Sequence, residues 1–235
     1  MFDPKQLLDQ VLGGGRGPGA AASDGGVMGR VGELARQNPM LAGGIAGGLA
    51  GLLLGRGFGG GLIKYGGMAV IGGLAYKAWR DYQDAQSSGE APAGGENDAD
   101  LVLPPPDSPF VPTPQSQARL AETLIVAMIA AAKADGHIDA EERGRIYQRL
   151  EEGGLQPEEV AFLQRELTEP VDVDRIVAGA RTKEEAVEVY AASLMAIRND
   201  TPQERDYLAG LAGRLQLEPD LVTAIEKTVE SVSGR

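Results

Sequence analysis

The chain has 235 residues, enough for one or two domains, and its 34 acidic against 22 basic side chains leave a net charge of −12. That balance argues against nucleic-acid binding, because a phosphate-reading surface needs clustered Lys and Arg, and favours cations or basic partners. With no cysteine and one histidine, disulfides, iron–sulfur clusters and thiolate or histidine zinc sites are excluded, so any metal must be held by oxygen ligands.

The first 39 residues read as a short amphipathic helix and a glycine-rich lead. Leu7, Leu8, Val11 and Leu12 fall at helical spacing between Pro4 and Leu12, and Gly13 to Gly15 end the helix. Such a helix suits a membrane surface or docking on a folded domain.

Residues 40–82 form a glycine-rich apolar segment, predicted to contact a membrane as a span or a hairpin. Gly43, Gly47, Gly51, Gly55 and Gly59 recur every four residues, a stripe that permits close helix packing or self-association in lipid and costs stability in water. The uncharged run from Met40 to Gly55 is 16 residues and that from Tyr65 to Tyr76 is 12, both short of the roughly 20 that span a bilayer. Arg56 and Lys64 separate the runs, and Tyr76, Trp79 and Tyr82 with Lys77 and Arg80 resemble an interfacial edge. The rival reading is a glycine-rich linker without stable helix. No secretory signal is expected, since the apolar region begins behind Asp3, Asp9, Asp24 and Glu33.

Residues 83–115 read as an acidic, Pro-rich linker, partly extended polyproline, with apolar islands at Leu101, Val102, Leu103, Phe110 and Val111 available to fasten it to a folded domain.

From residue 116 to 235 the periodicity is helical throughout, and no alternating stretch reads as a strand. Helices are predicted near 116–134, 140–151, 157–168, 172–180, 183–197, 202–214 and 219–232. Asp139 with Glu142, Thr182 with Glu185 and Thr201 with Glu204 have capping-box spacing, and Pro157, Pro202 and Pro219 occupy first-turn positions. Leu120, Leu124, Ala127, Met128 and Ala131 should face Val187, Tyr190, Ala191 and Leu194 as a central pair. The predicted fold is all-α, a C-terminal bundle of two related halves.

The halves are a repeat. Glu142/Glu204, Arg143/Arg205, Ile146/Leu208, Leu155/Leu217 and Pro157/Pro219 align at an offset of 62, whereas Ala127/Ala192, Ile129/Leu194 and Asp135/Asp200 align at 65, so the second acidic turn is three residues shorter. Two readings account for its acids. Asp135, Asp139, Glu142, Asp200 and Glu204 would need a divalent cation such as Ca²⁺ or Mg²⁺ if they converge. Capping and the helix dipole favour acids at the same places. The spacing is not that of an EF-hand, because Gly136 directly follows Asp135. His137 lacks a nucleophile or metal-binding partner in a recognisable motif and reads as an exposed turn residue, so no enzyme is expected.

The run from Ala131 to Arg143 (AAKADGHIDAEER), its echo from Ile197 to Leu217, and the start MFDPKQLLDQVLGG before the glycine-rich stretch resemble the TerB-like tellurite-resistance superfamily, most nearly its YebE-like inner-membrane branch. The resemblance implies an all-α bundle of two halves, with the five acids named above as proposed divalent-metal ligands. The leading reading is a membrane-tethered, non-enzymatic helical module of the bacterial inner membrane, its C-terminal domain in the cytoplasm, that binds a cation or a protein partner in an envelope-stress or metal-response setting. The shortened second turn has no counterpart of Asp139, which leaves that site lopsided. The alternatives are a soluble scaffold with an unstructured glycine segment, or a metal-dependent enzyme with an open pocket beside Asp135 and Asp200.

Overall fold

The computed structural model describes residues 2–13, 66–88, 101–134, 155–197 and 201–233. All eight elements among them are α-helices: α1 (Pro4–Gly13), α2 (Gly67–Ser88), α3 (Pro114–Ala132), α4 (Pro157–Thr168), α5 (Val173–Gly179), α6 (Lys183–Met195), α7 (Pro202–Arg214) and α8 (Pro219–Ser233). The glycine stripe from Gly43 to Gly59 and the predicted helix at 140–151 lie outside the described residues.

The helices start where local chemistry satisfies their first amides. Thr113 caps α3 by accepting from Ser116 N, Asp172 caps α5 by accepting from Arg175 N at 2.9 Å, and prolines open α3, α4, α7 and α8. Thr201 and Glu204 form the predicted reciprocal box at α7, both bonds being 3.1 Å. Thr182 and Glu185 form only half of theirs. Thr182 accepts from Glu185 N, but the Glu185 carboxylate accepts instead from Arg181 N at 2.7 Å and from Arg119.

The core is built around α3 and α6, as the Ala-rich stripes predict. Leu124, Ala127 and Ala131 of α3 and Val187, Ala191 and Ala192 of α6 have no exposed surface, and Leu120 and Tyr190 have almost none. Small residues let these helices approach closely, and α1, α2, α7 and α8 close over them.

Helix α2 takes a different place from the one its sequence suggests. Met68, Val70, Ile71, Leu74, Ala75, Ala78 and Tyr82 are buried against α1, α6 and α8, so this apolar face is part of the bundle. Tyr76 and Trp79 pack on Phe110, with ring centroids 5.8 and 6.2 Å apart, and Lys77 is buried with Asp81 at 2.9 Å. What resembles a membrane edge is an internal aromatic cluster here. The boundary suggested at 82/83 falls inside α2, and among the described residues no helix is long and apolar enough to cross a membrane.

Part of the Pro-rich segment is ordered against the bundle. Residues 101–113 form a strap over α2, pinned by Phe110, which is 4 % exposed, while Leu103 and Val111 face solvent. The close approach requires glycine beneath it: a Cβ at Gly73 would stand 2.8 Å from Leu101 Cδ1 and 3.1 Å from Val102 O. At the other end of the molecule's N-terminal layer, α1 docks by burying Leu7 and Leu8 completely and stacking Phe2 on Phe162 at 4.8 Å. Asp9 then accepts from Met68 N at 3.3 Å, so α1 caps the start of α2.

Candidate functional site

Arg119 in the second turn of α3 donates to Glu185 in the first turn of α6, at 2.5 and 3.1 Å, and to Gly179 O. The two helices therefore start at the same end of the pair and run the same way. From Arg119 to Ala132 the rise is about 20 Å and from Glu185 to Met195 about 15 Å, and the two helices pack on each other, so both run away from that contact to the same side. The two acidic turns begin from those ends. Lys133 closes α3 through bonds to Ile129 O and Ala130 O, and Ala196 closes α6 through Ala192 O.

Of the five acids expected to hold a cation, Asp135, Asp139, Glu142 and Asp200 lie outside the described residues, as does His137. Glu204 is described, and its Oε2 accepts from Thr201 N at 3.1 Å. That bond is the capping role; a carboxylate oxygen that accepts one amide hydrogen keeps a lone pair for a cation, so capping and coordination are compatible at this residue. Among the described residues alone, no group of three acidic or histidine side chains is placed to hold a metal.

Beside the same end lies an open groove of about 600 Å³ between α3, the α4–α5 connection and α7. Its floor is apolar, from Val126, Ile129 and Val173, and its walls carry an ionic network. Glu166, 7 % exposed on its side chain, accepts from Arg175 at 2.9 and 3.0 Å, and Arg175 also donates to Glu122 at 2.9 Å. Carboxylate bonding outweighs desolvation and raises the Arg175 pKa. Lys133 Nζ donates to Glu166 O at 3.0 Å and to Glu169 O, satisfying the last carbonyls of α4. Partial burial lowers the Lys133 pKa against the pull of Glu166 and Glu169. Arg214 pairs with Asp174 across the mouth. The groove is an ionic network over an apolar base that ties α3, α4, α5 and α7 together.

A second buried acid was not singled out by the sequence. Glu188 of α6 is 2 % exposed, and burial, reinforced by Glu185 and Glu184, raises its carboxyl well above the usual range. Its Oε1 stands 3.2 Å from where a Cβ of Gly72 would be, and Phe110 O stands 3.1 Å from the same point. The signal in the sequence was that Glu188 is the one charged residue from Ala186 to Ile197; the structure buries every residue from Glu185 to Ile197, so an acid there must be paired or neutral. On another face of the helix, Tyr190 donates to Glu226 at 3.0 Å, and burial together with that carboxylate raises its phenol.

Comparison with known proteins gives a family. A model described as "Protein of unknown function (DUF533)" matches residues 38–229. The match runs through the strap and α2 as well as the repeated halves, consistent with their common core. A protein from Yersinia enterocolitica, described as "Uncharacterized protein in ampR 5'region", is 32 % identical over 108 residues, covering 46 % of this chain and 78 % of the relative. No solved structure matches.

Proposed function

The chain belongs to the DUF533 family, which is TerB-like, and from that premise we propose that it is a non-enzymatic helical module whose acidic end binds a divalent cation, Ca²⁺ or Mg²⁺, or through it a protein partner. The observation that supports this reading is the common direction of α3 and α6 set by Arg119 and Glu185, which starts both acidic turns from one end of the bundle. Five carboxylates gathered there would repel one another in the absence of a counter-charge, and hard oxygen donors select hard cations. The lopsided second turn predicts fewer ligands on its side and affinity in a moderate range. Titration calorimetry of Ca²⁺ and Mg²⁺ into the full chain tests it: a saturable heat supports the reading, and no heat at millimolar metal removes it.

A second element of the proposal concerns the membrane. Met68 N donates to Asp9, and Leu8 O lies 2.7 Å from the Cβ position of Gly67, so Gly66 to Met68 lie directly against α1. Any membrane contact made by residues 14–65 must then enter and return on one face, as a hairpin that keeps α1 and the acidic end on the same side, which in the inner-membrane reading is the cytoplasm. A single span would pull α1 from its buried site. Protease accessibility of α1 and α8 in sealed vesicles distinguishes the two: both on one side is expected, and opposite sides would end the hairpin reading.

A further inference from the structure

The junction of α2, α6 and the strap carries a feature that neither caps nor ion pairs explain. The Glu188 carboxyl and the Phe110 carbonyl converge on the same face of Gly72, each within about a van der Waals contact of its Cα hydrogens, and among the described residues no donor meets the carboxyl. As an anion Glu188 would face the negative end of the Phe110 carbonyl dipole and the charges of Glu184 and Glu185 on its own helix. Of the cations on the adjoining elements, Lys77 of α2 pairs with Asp81, Arg119 of α3 with Glu185, and Lys183 with Glu218, while Arg80 of α2 and Lys227 of α8 are exposed. Glu226 of α8 is held by Tyr190, and Tyr76 of α2 packs its ring on Phe110. The strap brings no cation, since its single ionisable side chain is Asp107.

We propose that Glu188 is a proton-sensitive latch, whose neutral carboxylic acid keeps the strap 101–113 seated on α2 and whose ionisation lifts the strap from Gly72 and Gly73. The strap yields first because one deeply buried side chain, Phe110, pins it, whereas α2 is held along a whole helical face. A charged Glu188 gains water most cheaply by displacing that thin cover. Lifting it uncovers Tyr76, Trp79 and the two glycines, an apolar aromatic patch at the centre of the bundle's flank.

The chain contains a single tryptophan, Trp79, which touches Phe110 and Tyr82 and lies 5.2 Å below Lys183 Nζ, so its fluorescence reads the latch directly. With the full chain, emission should move to longer wavelength as pH rises above the ordinary carboxylate range, while helicity by circular dichroism stays constant. Glu188→Gln, which mimics the neutral acid, should abolish the shift, and Glu188→Leu should do the same if the amide variant does not fold. Hydrogen exchange should show protection of 101–113 falling with the same midpoint in the parent alone, after correction for the intrinsic rate. An unchanged parent spectrum as pH rises, or the same shift in parent and variants, would overturn the proposal.

Discussion

Arg119 and Glu185, 66 positions apart, form a two-bond guanidinium–carboxylate contact that joins the beginnings of the two equivalent helices of the repeat. The carboxylate also accepts from Arg181 N, so one side chain ties α3, the α5–α6 connection and α6. Removing Arg119 strands an acid whose side chain is 9 % exposed. Arg119→Ala should therefore cost about 3 kcal/mol in denaturant melts, and Arg119→Lys should recover only part of it, because an ammonium cannot reproduce the two parallel bonds plus the contact to Gly179 O.

The described glycines divide into two classes, and the same substitution should have opposite effects in each. A Cβ at Gly67 would meet Leu8 O at 2.7 Å and one at Gly73 would meet Leu101 at 2.8 Å, whereas nothing lies within 4 Å of Gly210 or Gly213 in α7. Gly67→Ala and Gly73→Ala should each cost about 1 to 3 kcal/mol by forcing α1 or the strap away. Gly210→Ala and Gly213→Ala should stabilise by about 0.5 to 1 kcal/mol through helix propensity. Thermal melts of the four variants check the contrast.

Leu124 has no exposed surface and Leu194 is 5 % exposed, on the two facing helices of the central pair. Leu124→Ala and Leu194→Ala should each cost about 2 to 5 kcal/mol.

The Glu188 carboxyl also predicts the sign of the pH dependence. Its folded pKa lies above its unfolded value near 4.5 because of burial and neighbouring acids. The folded state therefore binds the proton more tightly, and this contribution to stability is intact below the unfolded pKa and lost as pH rises through the folded one. Urea midpoints of Glu188→Gln should exceed those of the parent by a margin that grows from acid toward neutral pH.

Much of the fold was legible because its signals are local. Thr201, Pro202 and Glu204 mark the start of α7 without reference to any other part of the chain, and Pro157 and Pro219 do the same for α4 and α8. The facing of α3 and α6 was legible because small residues repeat at helical spacing on both. Helix α2 was misplaced for a physical reason: an apolar helix with glycines and flanking aromatics serves equally at a lipid interface or beneath a strap, and only the approach of Leu101, Val102 and Phe110 decides between them. The contacts of Arg119 with Glu185 and of Arg175 with Glu166 and Glu122 were not legible, because each of these charges has several possible partners until the helices are placed. Of the five acids that the sequence offers as cation ligands, Glu204 alone lies among the described residues, where it caps the start of α7.

The most direct test of the cation reading is the melting temperature of the full chain with and without millimolar Ca²⁺ or Mg²⁺, measured in parallel for Asp135→Asn/Asp200→Asn. Ligand binding to the folded state raises the transition, whereas asparagine keeps the size and hydrogen-bonding capacity of aspartate and removes its charge. A metal-dependent rise is expected in the parent and none in the double variant. No rise in the parent, or an equal rise in both, would contradict it and leave capping as the whole role of these acids.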